Sequence, residues 1–107
     1  MKSLSPYVHE SGVVTIYEVS DYVNTYIPDG AAVTVTVPAL AKFAVFTGTG
    51  NFWVDFSLGG TAVLPTVQVT DGTASVMNPS VRRLPPDQPT FSIIAQGTTV
   101  VQIAFYR

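Results

Sequence analysis

One histidine, His9, and seven carboxylates, Glu10, Glu18, Asp21, Asp29, Asp55, Asp71 and Asp87, are the groups in this chain that could act as acids or bases. Acid–base chemistry requires two such groups to meet at a reacting bond. His9 lies in a polar leader, MKSLSPYVHESG, and a Ser-His-Asp arrangement would have to recruit it from there. Asp29 and Asp71 each precede a glycine and read as turn residues. Asp55 alternates with Phe52, Val54 and Phe56, which points it away from their face, toward solvent or a partner. The acids are too scattered for a paired-carboxylate hydrolase. One histidine and dispersed acids have no metal-ligand spacing, with Asp21, Asn24 and Asp29 the nearest to a set of oxygen donors for calcium. The absence of cysteine removes disulfides, thiolate metal sites and thiol nucleophiles. No catalytic residue, metal or cofactor is expected, and the chain is not expected to be an enzyme.

Phosphate and nucleic-acid chemistry fare no better. Gly48-Thr49-Gly50 has neither the lysine nor the helix of a phosphate loop. The net charge of −2 has the wrong sign for polyanion binding, and Arg82-Arg83 is the only basic cluster in the sequence. Aromatic residues sit among Val, Thr and Ala rather than among cations, unlike a base-stacking platform. No apolar run approaches the ~20 residues of a membrane span, and the leader lacks a secretory core. The expectation is a protein made in the cytosol, or exported by a route that the sequence does not show, without nucleic-acid or membrane partners.

Binding residues are easier to find. Only 11% of residues are charged while 47% are hydrophobic, against about 25% charged in an ordinary soluble domain. A surface so poor in charge is expected to be covered by other protein. Trp53 alternates out of the apolar face of its run, and Tyr22 and Tyr26 lie four apart in a loop. Each could anchor an interface or stack on a sugar ring, and Trp53 could equally be covered within the fold. Arg82 and Arg83 read either as a solvated pair or as bidentate partners for carboxylates on a neighbour.

These residues need a scaffold, and its texture is β throughout. Residues 1–12 read as an extended arm, and residues 13–107 as a single sandwich domain. Short β-branched and aromatic runs separated by Gly, Pro, Asp and Asn predict about eight strands. They are Val13–Val19, Ala31–Val37, Lys42–Thr47, Phe52–Leu58, Thr61–Leu64, Val67–Thr70, Thr90–Ala95 and Thr99–Tyr106. Phe52, Val54, Phe56 and Leu58 are expected on one face, and Trp53, Asp55 and Ser57 on the other. The links at residues 48–51 and 96–98 read as hairpins. Two loops are long, eleven residues at 20–30 and nineteen at 71–89. The second is expected either to hide a short element or to be ordered by a neighbouring subunit. An antiparallel two-sheet sandwich follows, a jelly roll first and an immunoglobulin-like sandwich second.

The stretch VTVTVPALAKFAVFTGTGNFWVDF (33–56), then VTDGTASVMNPSVRRL (69–84) and the ending FSIIAQGTTVVQIAFYR resemble small virion proteins of tailed bacteriophages. The shared pattern is a Val-Pro corner, an Asp-Gly turn, an Asn-Pro-x-x-Arg-Arg-like segment and an apolar final strand, over roughly residues 31–107. The resemblance implies a non-enzymatic decoration, or cement, protein on the capsid exterior, arranged as a dimer or trimer and clamping the major capsid protein. It carries over Asn78, Pro79, Arg82 and Arg83 as interface candidates beside Tyr22, Tyr26 and Trp53. A tail or collar subunit, or a carbohydrate-binding module, are the alternatives.

Overall fold

The structure is a computed structural model that describes residues 1–4 and 19–107, with the backbone alone for 7–8 and 15–16. Two short strands, β1 (Tyr7–Val8) and β2 (Thr15–Ile16), pair antiparallel with each other. Eight further strands follow: β3 (Val23–Tyr26), β4 (Val33–Thr36), β5 (Phe43–Gly48), β6 (Phe52–Asp55), β7 (Val76–Met77), β8 (Val81–Arg83), β9 (Thr90–Ala95) and β10 (Val101–Tyr106). They form two antiparallel four-stranded sheets, ordered β3-β10-β5-β8 and β4-β9-β6-β7. No helix occurs among the described residues.

The pairing follows one rule. β3 pairs with β10, β4 with β9, β5 with β8 and β6 with β7. Partners such as Tyr26 and Val101, Phe43 and Arg83, and Val54 and Val76 lie nearly equidistant from residues 63–65. The eight strands therefore make a single long ribbon, folded back on itself at residues 58–75 and wrapped so that successive pairs alternate between sheets.

Period-two patterning explains the wrap. In β4, Val35 is fully buried while Thr34 and Thr36 are exposed. Val35, Val54, Phe91 and Ile93 of one sheet share a core with Phe46, Val101, Ile103 and Phe105 of the other. Phe46 is its hub, 5.8 Å from both Phe56 and Phe91 and 6.2 Å from Phe52 between ring centroids. Each such side chain, fully buried, contributes about 1.5–3 kcal/mol. Buried Gln88 donates its side-chain amide to the Phe56 carbonyl, so the chain leaving β6 carries a satisfied polar group into the core.

Several expected elements differ. Of the expected strand Val13–Val19, Thr15–Ile16 pairs with Tyr7–Val8 in a separate two-stranded ladder, and Val13, Val14, Tyr17 and Glu18 lie outside the described residues. Thr61–Leu64 and Val67–Thr70 form no strands, because residues 58–75 close the ribbon and no neighbour offers them a ladder. β6 stops at Asp55, whose Oδ1 accepts from the Ser57 N–H at 2.8 Å and turns the chain. Phe56 still packs on the core, but Leu58 is 74% exposed, not on the core face. The loop at 20–30 contains β3, whereas the loop at 71–89 hides short elements, as one of its two readings expected: they are β7 and β8. Residues 48–51 and 96–98 are not hairpins; each crosses from one sheet to the other. The first corner is tight, since a Cβ on Gly48 would sit 2.8 Å from the Phe52 ring. Of the expected arm, residues 2–4 run beside the last strand: Arg107 N–H donates to the Lys2 carbonyl at 2.9 Å, and Leu4 N–H to that of Arg107 at 3.2 Å.

Candidate functional site

The ribbon tip builds the first candidate surface. Residues 58–75 lie over the outer face of the β4-β9-β6-β7 sheet, and Ala62 N–H donates to the Ser92 hydroxyl of β9 at 2.9 Å. That cover buries Ser92 and Ile94, which would otherwise face water. Beside it a cleft of about 230 Å³ opens, lined by half-buried Trp53 and by Val63, Val67 and Val69. Val63 is 63% and Val67 73% exposed, and Met77, directly opposite Trp53 in register, is exposed as well. The hydroxyls of Thr61, Thr66, Thr73 and Ser75 punctuate this apolar lining.

The tip is held by turns rather than by strands. Asp71 Oδ1 accepts from Thr73 N–H at 3.1 Å and from its hydroxyl at 2.6 Å. The Thr73 hydroxyl, then its N–H, lower the Asp71 carboxyl below the usual aspartate value, because both bonds favour the charged form. Gly72 follows at φ +87°, a conformation that side chains with a Cβ avoid. The Ser75 hydroxyl accepts from Val63 N–H at 3.1 Å and ties the two limbs together.

The other sequence candidates are dispersed. Tyr22 lies just before β3 and Tyr26 in it, an edge strand rather than a loop. Tyr22 stands edge-on to Phe105, and Tyr26 packs against the core while its hydroxyl accepts from Asn24 at 3.2 Å. Asn78, at φ +46°, turns the chain from β7 toward β8. Its Oδ1 accepts from Phe52 N–H at 3.0 Å, and its Nδ2 donates to Asn51 at 2.9 Å. Pro79 beside it is buried. Both residues are engaged within the chain's own corner between sheets. Asp21, Asn24 and Asp29 do not converge: Asp21 accepts from the Lys2 N–H, and Asp29 bridges to Ala95. His9 lies outside the described residues, among which no cluster of three His, Cys, Asp or Glu could hold a metal.

Arg82 and Arg83 sit on β8, the open edge of the β3-β10-β5-β8 sheet, and are exposed. The fold adds companions that their spacing in sequence hides. Lys42 precedes β5 and Arg107 follows β10, so both reach the end of the same sheet as Arg83. With Ser3, Leu40 and Phe43 these three cations line a depression of about 620 Å³. Among the described residues no carboxylate forms an ion pair with Lys42, Arg82, Arg83 or Arg107. The only foreshadowing of this basin was the Arg-Arg pair itself. Likewise, Val63 and Val67 read as strand residues, and only their missing partners turn them into cleft walls.

No protein-family model, curated protein or solved structure matches this chain.

Proposed function

We propose that this chain is a structural virion protein, a capsid decoration protein whose ribbon tip grips the major capsid protein. The observation that carries the reading is the apolar cleft at Trp53, walled by Val63, Val67 and Val69 on a chain with 11% charged residues. Large apolar surface left in water favours association, and an aromatic anchor ringed by small polar groups suits a protein interface. The cleft lies at the far end of a ribbon fixed by two packed sheets, so it is held in place before docking, which lowers the ordering cost. Many identical copies on a shell would then act together through multivalency.

The topology also favours it. Pairing β3·β10, β4·β9, β5·β8 and β6·β7 across two sheets supports reading the sandwich as a jelly roll, an architecture used for viral coats and for lectins. Fold alone does not fix function, so the weight stays on the cleft. A dimer or trimer on the capsid exterior is the arrangement that the resemblance to phage virion proteins implies.

The test is co-sedimentation of the purified protein with assembled shells of the major capsid protein. Saturation at a fixed ratio to the shell subunit is the expected result; no sedimentation at saturating concentration defeats the proposal.

Thr61 and Thr66, polar residues in the lining beside Trp53, favour a second reading, a sugar platform in the same cleft. Glycan-array binding that disappears in Trp53→Ala would select it. Binding that is absent, or that ignores this substitution, would dismiss it.

A further inference from the structure

β8 is a sheet edge with a readable hydrogen-bond phase. Leu84 N–H donates to the Lys42 carbonyl at 2.7 Å, and Phe46 N–H to that of Ser80 at 2.8 Å. In an antiparallel ladder these bonded pairs alternate with unbonded ones, so Ala44 and Arg82 form the bonded pair between them. The backbone N–H and C=O groups of Val81 and Arg83 therefore face away from β5, along the free edge. Among the described residues nothing bonds them.

That edge runs into the basin of Lys42, Arg83 and Arg107. The three cations come from the ends of adjacent strands and line one depression, so an anion seated there faces all three. Arginine forks bind carboxylates bidentately. Leu40, at the basin's rim, is 73% exposed and holds φ +72°. An exposed leucine in a left-handed conformation is strained, and such strain concentrates at ligand clamps. Phe43 supplies a half-buried apolar floor.

We propose that β8 accepts an extended acidic segment of a partner protein as an added strand, with a carboxylate of that segment seated among Lys42, Arg83 and Arg107. The exposed backbone groups call for a peptide, because a simple anion would leave the outward carbonyls unmatched. The surrounding cations select acidic side chains. A second copy of this chain is a poor occupant, since β8 against β8 would bring Arg82 and Arg83 against their own counterparts. Nucleic acid is disfavoured by the small number of cations and the net charge of −2. This surface is separate from the Trp53 cleft and stands or falls independently of it.

The test is a titration of the full chain with a capped hexapeptide of alternating valine and glutamate, followed by amide NMR shifts. Val81, Arg83 and Lys42 should shift together. Arg83→Gln and Lys42→Gln should each weaken binding about tenfold, the scale of one charge-assisted bond, with melting temperatures unchanged. The same peptide N-methylated at alternate residues should bind at least tenfold more weakly. The proposal is overturned if the methylated peptide, or one with lysine for glutamate, binds equally well. It is also overturned if inorganic phosphate displaces the peptide at equal concentration, or if the edge resonances move with protein concentration alone.

Discussion

Asn78 and Phe52 exchange two hydrogen bonds at the end of the β6·β7 ladder, where the chain turns toward the other sheet. Asn78 N–H donates to the Phe52 carbonyl at 2.9 Å, and Phe52 N–H donates to the Asn78 side-chain oxygen at 3.0 Å. Asn78 does so at φ +46°, a region that asparagine tolerates better than most residues. The ranking of substitutions follows. Asn78→Asp keeps the acceptor and should cost less than about 1 kcal/mol. Asn78→Gly loses the acceptor but not the backbone freedom, for about 1 kcal/mol, and Asn78→Ala loses both, for about 2 kcal/mol. Urea unfolding of the three variants checks the order; alanine equal to glycine would show that backbone strain plays no part.

Ser92 pins the ribbon tip. Its hydroxyl is the acceptor for the Ala62 N–H, and both residues are buried. Ser92→Ala leaves that donor without a partner and should cost about 1–3 kcal/mol. Amide exchange should rise first at Ala62 and through residues 58–75, while β5 and β10 stay protected. Uniform loss of protection across both sheets would mean that the tip is not a separate opening unit.

How much of this was legible in the sequence depended on contrast. Val33–Thr36 alternates cleanly between valine and threonine, and in Phe52–Asp55 the Phe52–Val54 face alternates with Trp53 and Asp55; both are strands with the expected inner faces. β3 was missed, and β8 was expected only as one reading of the long loop and without a position, because VNTY and VRR are edge strands with little buried surface, held by the ladders to β10 and β5 rather than by their own pattern. Val67–Thr70 failed in the opposite way, with strand-like residues but no neighbour to pair with. Leu84 looked like loop and is core, because the strand before it carries it inward. Trp53 was recognisable as facing away from Phe52 and Val54. The basin was not, because Lys42, Arg83 and Arg107 are far apart in sequence and meet only through sheet order.

Asp71 gives the tip a pH dependence of known sign. Its carboxyl is held below the usual aspartate value by the Thr73 hydroxyl first and the Thr73 N–H second. A depressed folded value means that its contribution is present above the ordinary aspartate range and is lost as pH falls through the folded value. Thr73→Val removes the hydroxyl bond, so the carboxyl should titrate at higher pH than in the parent protein. Carbon-13 NMR of the Asp71 side chain measures this directly, and an unchanged titration would show that the hydroxyl contact does not persist in solution.

The cleft walls offer the sharpest separation of binding from folding. Val63 and Val67 are mostly exposed and belong to no core cluster, so lysine at either position should alter stability by no more than about 0.5 kcal/mol. On a docked surface the same change buries an unpaired charge in an apolar contact. The double variant Val63→Lys/Val67→Lys should therefore lower shell affinity at least tenfold at an unchanged melting temperature. Trp53 is the only tryptophan in the chain, and its emission should shift to the blue when the cleft is covered and water leaves it. Shell binding that survives both lysines, with no shift in emission, would place the contact elsewhere on the molecule and leave the cleft without that role.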